Sequence, residues 1–159
     1  MKTIFESKRI NFVQVDESLV NDYLILMNDF ENVGRFIGNH HTPYTEENEY
    51  KWIKEKQEDN SPVFSMIEKS TNKFIGNIEL MNLVNDTAEL GIAITASMQE
   101  KGYGTEAIIA LIKYGKDILK LEHIVLRTNI NNLRAQHVYI KCGFKEYKRD
   151  NERIYMELK

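Results

Sequence analysis

A long amphipathic helix framed by two strand-like stretches constrains this chain more than any other feature. From near Gly102, Ile108, Leu111, Ile112, Gly115, Ile118 and Leu119 recur at helical spacing and predict one buried face. Before it, Ala88, Leu90, Ile92 and Ile94 alternate along Thr87 to Ile94; after it, His123 to Thr128 reads as a further strand. Strand, helix and strand in that order form a crossover unit, which packs its helix against one face of a sheet. Upstream, Val63 to Glu68 and Phe74 to Met81 flank the turn at Ser70-Thr71-Asn72-Lys73, and Asn82 to Asp86 reads as another turn, so three antiparallel strands precede residue 95.

The remaining elements follow from local signals. Ile10 to Val15 predicts a strand, and Asp16 or Ser18 caps a helix running to about Asn28. Asn32 to Thr45 is irregular; a second helix follows Thr45, with Glu46 and Glu47 at its positive end and Trp52 and Ile53 on its buried side. Asn131 or Asn132 caps a fourth helix with inner face Ala135, Val138, Tyr139 and Cys142, and Gly143 takes the C′ position. Phe144 to Lys148 and Arg153 to Leu158 close the chain as strands. The expected class is α+β: a mixed, mostly antiparallel sheet of about 7 strands, about 4 flanking helices and one central βαβ crossover, in a single domain over residues 1–159.

Composition narrows the function classes. A formal charge of −3 gives no global attraction to nucleic acid or to an anionic membrane. The longest apolar run, Ala107 to Ile112, is six residues, against roughly 20 for a membrane-spanning helix. Met1-Lys2-Thr3-Ile4-Phe5-Glu6 lacks the apolar stretch of a secretory leader, and the single cysteine, Cys142, excludes a disulfide framework and a multi-cysteine zinc site. A soluble, cytoplasmic protein without a metal is expected.

The chemistry concentrates in Gln99-Glu100-Lys101-Gly102-Tyr103-Gly104-Thr105-Glu106-Ala107, between strand and helix. Two glycines two apart leave the backbone bare, and the helix that follows presents unpaired N–H groups at its positive end. That suits a phosphate or diphosphate, with an ordinary glycine turn into a helix as the alternative. Gly102, Gly104 and Ala107 also spell the dinucleotide fingerprint, with Glu122 further on. Glu122, however, precedes the strand from His123, and three antiparallel strands upstream do not suit a doubly wound sheet. No Gly-Lys-Ser/Thr follows, which excludes a Walker A loop.

Gln99-x-x-Gly102-x-Gly104 resembles the Q/R-x-x-G-x-G/A acetyl-CoA signature of the GNAT N-acetyltransferases. Asn132-Leu133-Arg134-Ala135-Gln136-His137-Val138-Tyr139-Ile140-Lys141-Cys142-Gly143-Phe144 resembles that family's N-x-x-A-x-x-x-Y-x-x-x-G-F signature. Ala88-Glu89-Leu90-Gly91-Ile92 and the run from Gly102 to Ala107 look most like the branch of ribosomal-protein N-terminal acetyltransferases; spermidine and some antibiotic acetyltransferases share these features. The resemblance implies the GNAT fold and acetyl-CoA as co-substrate. It also implies direct acetyl transfer, in a ternary complex, to a primary amine of a protein N-terminus, a polyamine or a small molecule, and a homodimer among the partners.

The resemblance further implies residue roles. The amides from about Gln99 to Thr105, through Lys101, Gly102, Tyr103 and Gly104, would hold the diphosphate of coenzyme A. The pantetheine arm would pair with the strand through Ile92, Ala93 and Ile94, and Asn132 would bond it while capping its helix. A glutamine at position 99, where arginine is commoner, shifts the burden to amides and Lys101. An ammonium must lose a proton before it attacks, and Glu89, sharing a strand face with Gly91 and Ala93, is the first candidate base, with Glu79 the second; a strand bulge would shift that parity. A freed N–H near Ile92 would meet the developing oxyanion. Tyr139 would protonate the leaving thiolate, with a core tyrosine as the plain alternative.

Other polar residues read more plainly. Cys142 is expected as a core thiol and His137 as exposed. His40 and His41, near Tyr44, either line an acceptor site or are solvated; Lys51, Lys54, Lys56 and their acidic neighbours read as a solvated helix face. Glu46, Glu47 and Glu49 lend the region an acidity that suits a cationic amine. A non-catalytic acyl-CoA-binding sensor is the other function class, and the presence of both Glu89 and Tyr139 favours the enzyme.

Overall fold

A computed structural model describes residues 1–35 and 42–159. In chain order the strands are β1 (Thr3–Glu6), β2 (Ile10–Gln14), β3 (Val63–Glu68), β4 (Phe74–Val84), β5 (Thr87–Ile94), β6 (His123–Asn129), β7 (Lys145–Arg149) and β8 (Arg153–Leu158). The helices are α1 (Val20–Asn28), α2 (Glu46–Asp59), α3 (Tyr103–Asp117) and α4 (Leu133–Lys141), with short helical turns at Glu17–Leu19, Phe30–Gly34 and Ala96–Met98. All eight strands join one sheet in the order β1-β2-β3-β4-β5-β6-β8-β7. Only β5 and β6 pair in parallel, across the α3 crossover that the sequence pattern requires.

Alternation along the strands divides the core between the two sheet faces. Ile10, Phe12, Phe64 and Met66 point to the face covered by α3, where Ala107, Ile108 and Leu111 are fully buried. Val13, Val63 and Ile67 point to the opposite face, packed by Tyr23 and Leu26 of α1 and Ile53 of α2. Caps fix where the helices begin. Asp16 accepts from the Ser18 amide, Thr45 and Asn48 form a reciprocal capping box, and Asn132 accepts from the Ala135 amide at 3.2 Å.

The chain departs from the sequence expectation at identifiable places. An additional strand, β1, is too short to show a period; it is held by Phe5, stacked between Phe12 and Tyr114 at 4.2 and 4.6 Å between ring centroids. The turn expected from Asn82 shrinks to Asn85 and Asp86, because Asn82 takes a left-handed φ of 53° and lets β4 continue through an irregularity to Val84. Ile118 is 63% exposed, contrary to its expected place on the buried face, because α3 ends at Asp117. Among the described residues no helix is long and apolar enough to cross a membrane.

The site lies where two halves of the sheet part. β5 and β6 pair only at Thr87↔His123, Ala88↔Ile124 and Glu89↔Val125. Beyond Glu89, β5 continues against β4 to Ile94, and β6 continues against β8 to Asn129. A wedge opens between them, and residues 90–94 present an unpaired strand edge to it. Gly76 pairs with Ile94 at the tip of this edge; a Cβ there would lie 2.1 Å from the Ala93 carbonyl oxygen, so only glycine allows β4 to approach so closely.

Candidate active site

Two cavities meet inside the wedge. The first, of about 200 Å³, lies between the end of β5, the bend before α3 and the start of α4. Ile92, Ala93, Ile94, Gln99, Gly102, Tyr103, Gly104, Thr105 and Asn132 all line it, so the structure gathers nearly all the expected cofactor residues around one space. Lys101 does not line it: the side chain is exposed, and its carbonyl accepts from Arg9 Nη1 at 3.0 Å. The Tyr103 phenol is likewise committed elsewhere, donating to Glu68 beneath the Arg9 guanidinium.

The bend is built to expose main-chain donors. Gly102 has φ +83°, a left-handed conformation that favours glycine, and it starts α3 without a side-chain cap. The amides of Tyr103, Gly104 and Thr105 have no acceptor among the described residues. Gln99 secures the entrance: its amide donates to the Ile94 carbonyl at 2.9 Å, and its oxygen accepts from Arg134 Nη2 at 2.8 Å. Arg134, which the sequence reading passed over, therefore places a cation on the cavity wall beside the neutral Gln99. Its place in the first turn of α4, two residues after Asn132, was the available signal. An unpaired strand edge, free helix amides and an arginine suit an extended ligand with an amide arm and a diphosphate, as coenzyme A is.

The second cavity is larger, about 800 Å³, and is bounded by the β4–β5 face and α2. Ile92, Ala93, Asn132 and Tyr139 border both cavities and mark where they adjoin. Tyr139 is buried against Phe144, with ring centroids 6.2 Å apart. Its hydroxyl has no hydrogen-bond partner among the described residues, and burial pushes it up to about 12, so it carries a proton at neutral pH.

Four glutamates line the second cavity, Glu49, Glu79, Glu89 and Glu152, and the first three differ in electrostatic state. Glu89 accepts from Arg127 Nε at 3.1 Å and from Asn82 Nδ2 at 3.2 Å. Glu79, in register with Gly91, has no ion pair among the described residues; burial raises its carboxyl above the ordinary range, Lys56 opposes the rise and Glu89 adds to it. Glu49 is 4% exposed, its carboxylate has no hydrogen bond or ion pair among the described residues, and burial raises it too. The acidic face of α2 is thus not wholly solvated. Glu49, Trp52, Ile53 and Lys56 fall on one helical stripe, a signal present in the sequence. Register between β4 and β5 is continuous from Met81↔Glu89 to Gly76↔Ile94, so Glu89, Gly91 and Ala93 keep a common face.

The remaining candidates stand apart. Cys142 is half-buried with its Sγ 3.9 Å from the Thr105 carbonyl, and burial raises the thiol. His137 is exposed. His40 and His41 lie outside the described residues.

Comparison with known proteins agrees with this geometry. The acetyltransferase (GNAT) domain family matches residues 9–145. Spermidine N(1)-acetyltransferase of Vibrio cholerae serotype O1 is 33% identical over 90 residues, covering 55% of this chain and 52% of the relative. The chain spans between about half and three-fifths of the length of the curated relatives it matches. Among solved structures, an acetyltransferase (GNAT family) from Bacillus anthracis superposes with a TM-score of 0.86 at 20% identity, over 96% of each chain. Spermidine N-acetyltransferase from Vibrio cholerae in complex with CoA and spermine gives a TM-score of 0.84 at 21% identity, over 94% of this chain and 95% of that one. At such identities the likeness concerns the fold.

Proposed function

We propose that this chain, which belongs to the acetyltransferase (GNAT) family, acts as one catalytic unit that moves an acetyl group from acetyl-CoA to the primary amine of a small cationic acceptor. The observation that carries the reading is the junction of the two cavities at Tyr139, with main-chain donors on one side and unpaired carboxylates on the other.

When bound, acetyl-CoA supplies an acyl thioester. Tyr103, Gly104 and Thr105 amides and Arg134 hold its diphosphate, and residues 90–94 orient the arm along their free edge. Glu79 takes a proton from the acceptor ammonium, directly or through one water; its raised affinity for protons fits it to that task better than Glu89, whose charge is already met by Arg127. The freed nitrogen forms the C–N bond, and the Ile92 amide lies within the unpaired segment where oxygen charge develops. As the C–S bond breaks, the Tyr139 hydroxyl gives its proton to sulfur. The nitrogen sheds its second proton, which restores the tyrosine through solvent. One proton is released overall.

Glu49 and Glu79 suit a cationic amine as acceptor. The likeness to a spermidine acetyltransferase supports a small polyamine-like acceptor. A panel of monoamines, polyamines and N-terminal peptides, followed by free-thiol release from acetyl-CoA, tests it. Turnover is expected with small cationic amines. Turnover of peptides alone would contradict the acceptor assignment, and tight CoA binding without turnover on any acceptor would favour the sensor.

A further inference from the structure

Glu106 lies in the first turn of α3, the helix whose free amides face the first cavity. A carboxylate there complements the helix dipole but opposes any anion brought to the same end. The structure neutralises it from a distant part of the chain. In the β1–β2 connection, Ser7 Oγ donates to Glu106 Oε2 at 2.6 Å, the Arg9 amide to the same oxygen at 2.8 Å, and Arg9 Nε to Oε1 at 2.7 Å. Burial alone would raise the Glu106 carboxyl; these bonds outweigh it and hold it below the ordinary range. The carboxylate is therefore charged, and Arg9 is its counterion.

The same guanidinium braces the bend. Its Nη1 donates to the Lys101 carbonyl at 3.0 Å, it lies 4.2 Å from the Tyr103 ring centroid, and its Nη2 is 3.3 Å from where a Cβ on Gly102 would stand. Its side chain is 41% exposed, and it reaches the cavity wall only through the bend, since Arg9 itself does not line that space. An ordinary surface ion pair needs none of this: one side chain meets the carboxylate, the bend carbonyl and the ring together.

We propose that Arg9 is a positioning residue for coenzyme A, cancelling the Glu106 charge at the α3 N-terminus and setting the Gly102 bend through the Lys101 carbonyl. It rests on the reading that the diphosphate sits at that N-terminus. If Arg9 were a structural staple alone, every loss from the pair would weaken binding. With an electrostatic role, removal of the arginine and removal of the carboxylate act in opposite directions.

Calorimetric titration of CoA into the full chain separates the two, with melting curves to confirm folding. Arg9→Ala is expected to weaken CoA binding by about 10-fold, as loss of a charge-assisted contact does. Glu106→Gln, which keeps an acceptor for Ser7 and Arg9, is expected to tighten it, and R9A/E106Q to bind better than R9A. Rising salt is expected to weaken CoA binding by wild type more steeply than by R9A. Weaker binding by E106Q, or no gain in R9A/E106Q over R9A, would overturn the proposal. Should R9A fail to fold, E106Q and Arg9→Lys decide it: lysine keeps the charge that meets Glu106 but loses the guanidinium fork on the Lys101 carbonyl and the Tyr103 ring, so it is expected to weaken CoA binding, by less than about 10-fold. A folded wild type that binds no CoA would instead overturn the diphosphate reading itself.

Discussion

The two cavities that meet at Tyr139 are made of different material. The one beside α3 offers main-chain groups to a ligand: the free edge of β5, the amides of Tyr103, Gly104 and Thr105, and one bend that favours glycine. The one beside α2 draws its polar groups from ionisable side chains on several elements, among them Glu49 from α2, Glu79 from β4, and Glu89 with Arg127 from β5 and β6. Main-chain donors recognise a ligand whatever the neighbouring side chains, which suits a co-substrate. Side chains carried by separate elements change independently, which suits an acceptor pocket. The first cavity should therefore fail at its glycine, and the second at its carboxylates.

Tyr139 belongs to both and should give the largest effect. Tyr139→Phe keeps the ring against Phe144 and is expected to lower kcat by about 10²–10⁴ with little change in CoA affinity. Stopped-flow thiol release with calorimetric CoA titration checks both halves; equal losses in each would mark a packing residue.

Glu79→Gln is expected to lower kcat/KM by about 10², and more than Glu89→Gln does. A base must be deprotonated, so wild-type activity should rise with pH through a value above the ordinary carboxylate range, and Glu79→Gln should remove that limb. Persistence of the limb in Glu79→Gln and its loss in Glu89→Gln would return the role to Glu89.

At the main-chain site, Gly102→Ala forces a side chain into a left-handed conformation, at about 1–2 kcal/mol. KM for acetyl-CoA is expected to rise by about 10-fold with kcat nearly kept, and steady-state kinetics at saturating acceptor checks it.

The smallest effect contrasts function with stability. Glu49 and Glu79 hold their protons more tightly folded than unfolded, so the native state binds more protons over the interval between the two values. Unfolding free energy then falls as pH rises through that interval. Glu49→Gln is expected to melt above wild type at pH 8, to lose that difference at pH 4, and to raise KM for a cationic acceptor. A lower melting temperature at pH 8 would mean that Glu49 is paired in the folded state.

The same contrast explains what could be read from the chain. The cofactor side was legible because its signals are local: glycines two apart, an amphipathic face beginning just past them, and asparagine and glycine at the ends of α4. The acceptor side joins α2 to β4 and β5, and nothing in a local pattern says that Glu49 and Glu79 enter one cavity. Arg9 meets Glu106 across 97 positions, beyond the reach of periodicity. Glu49 was the recoverable miss, since it lies on the stripe of Trp52 and Ile53 and only its charge argued for solvent.

A crystal structure with CoA tests the division between the cavities most directly. The expected map has the diphosphate on the amides of Tyr103, Gly104 and Thr105, the arm along β5 from Ile94 toward Leu90, and the sulfur within hydrogen-bond reach of the Tyr139 hydroxyl. Density for CoA in the α2 cavity, or a sulfur remote from Tyr139, would contradict it.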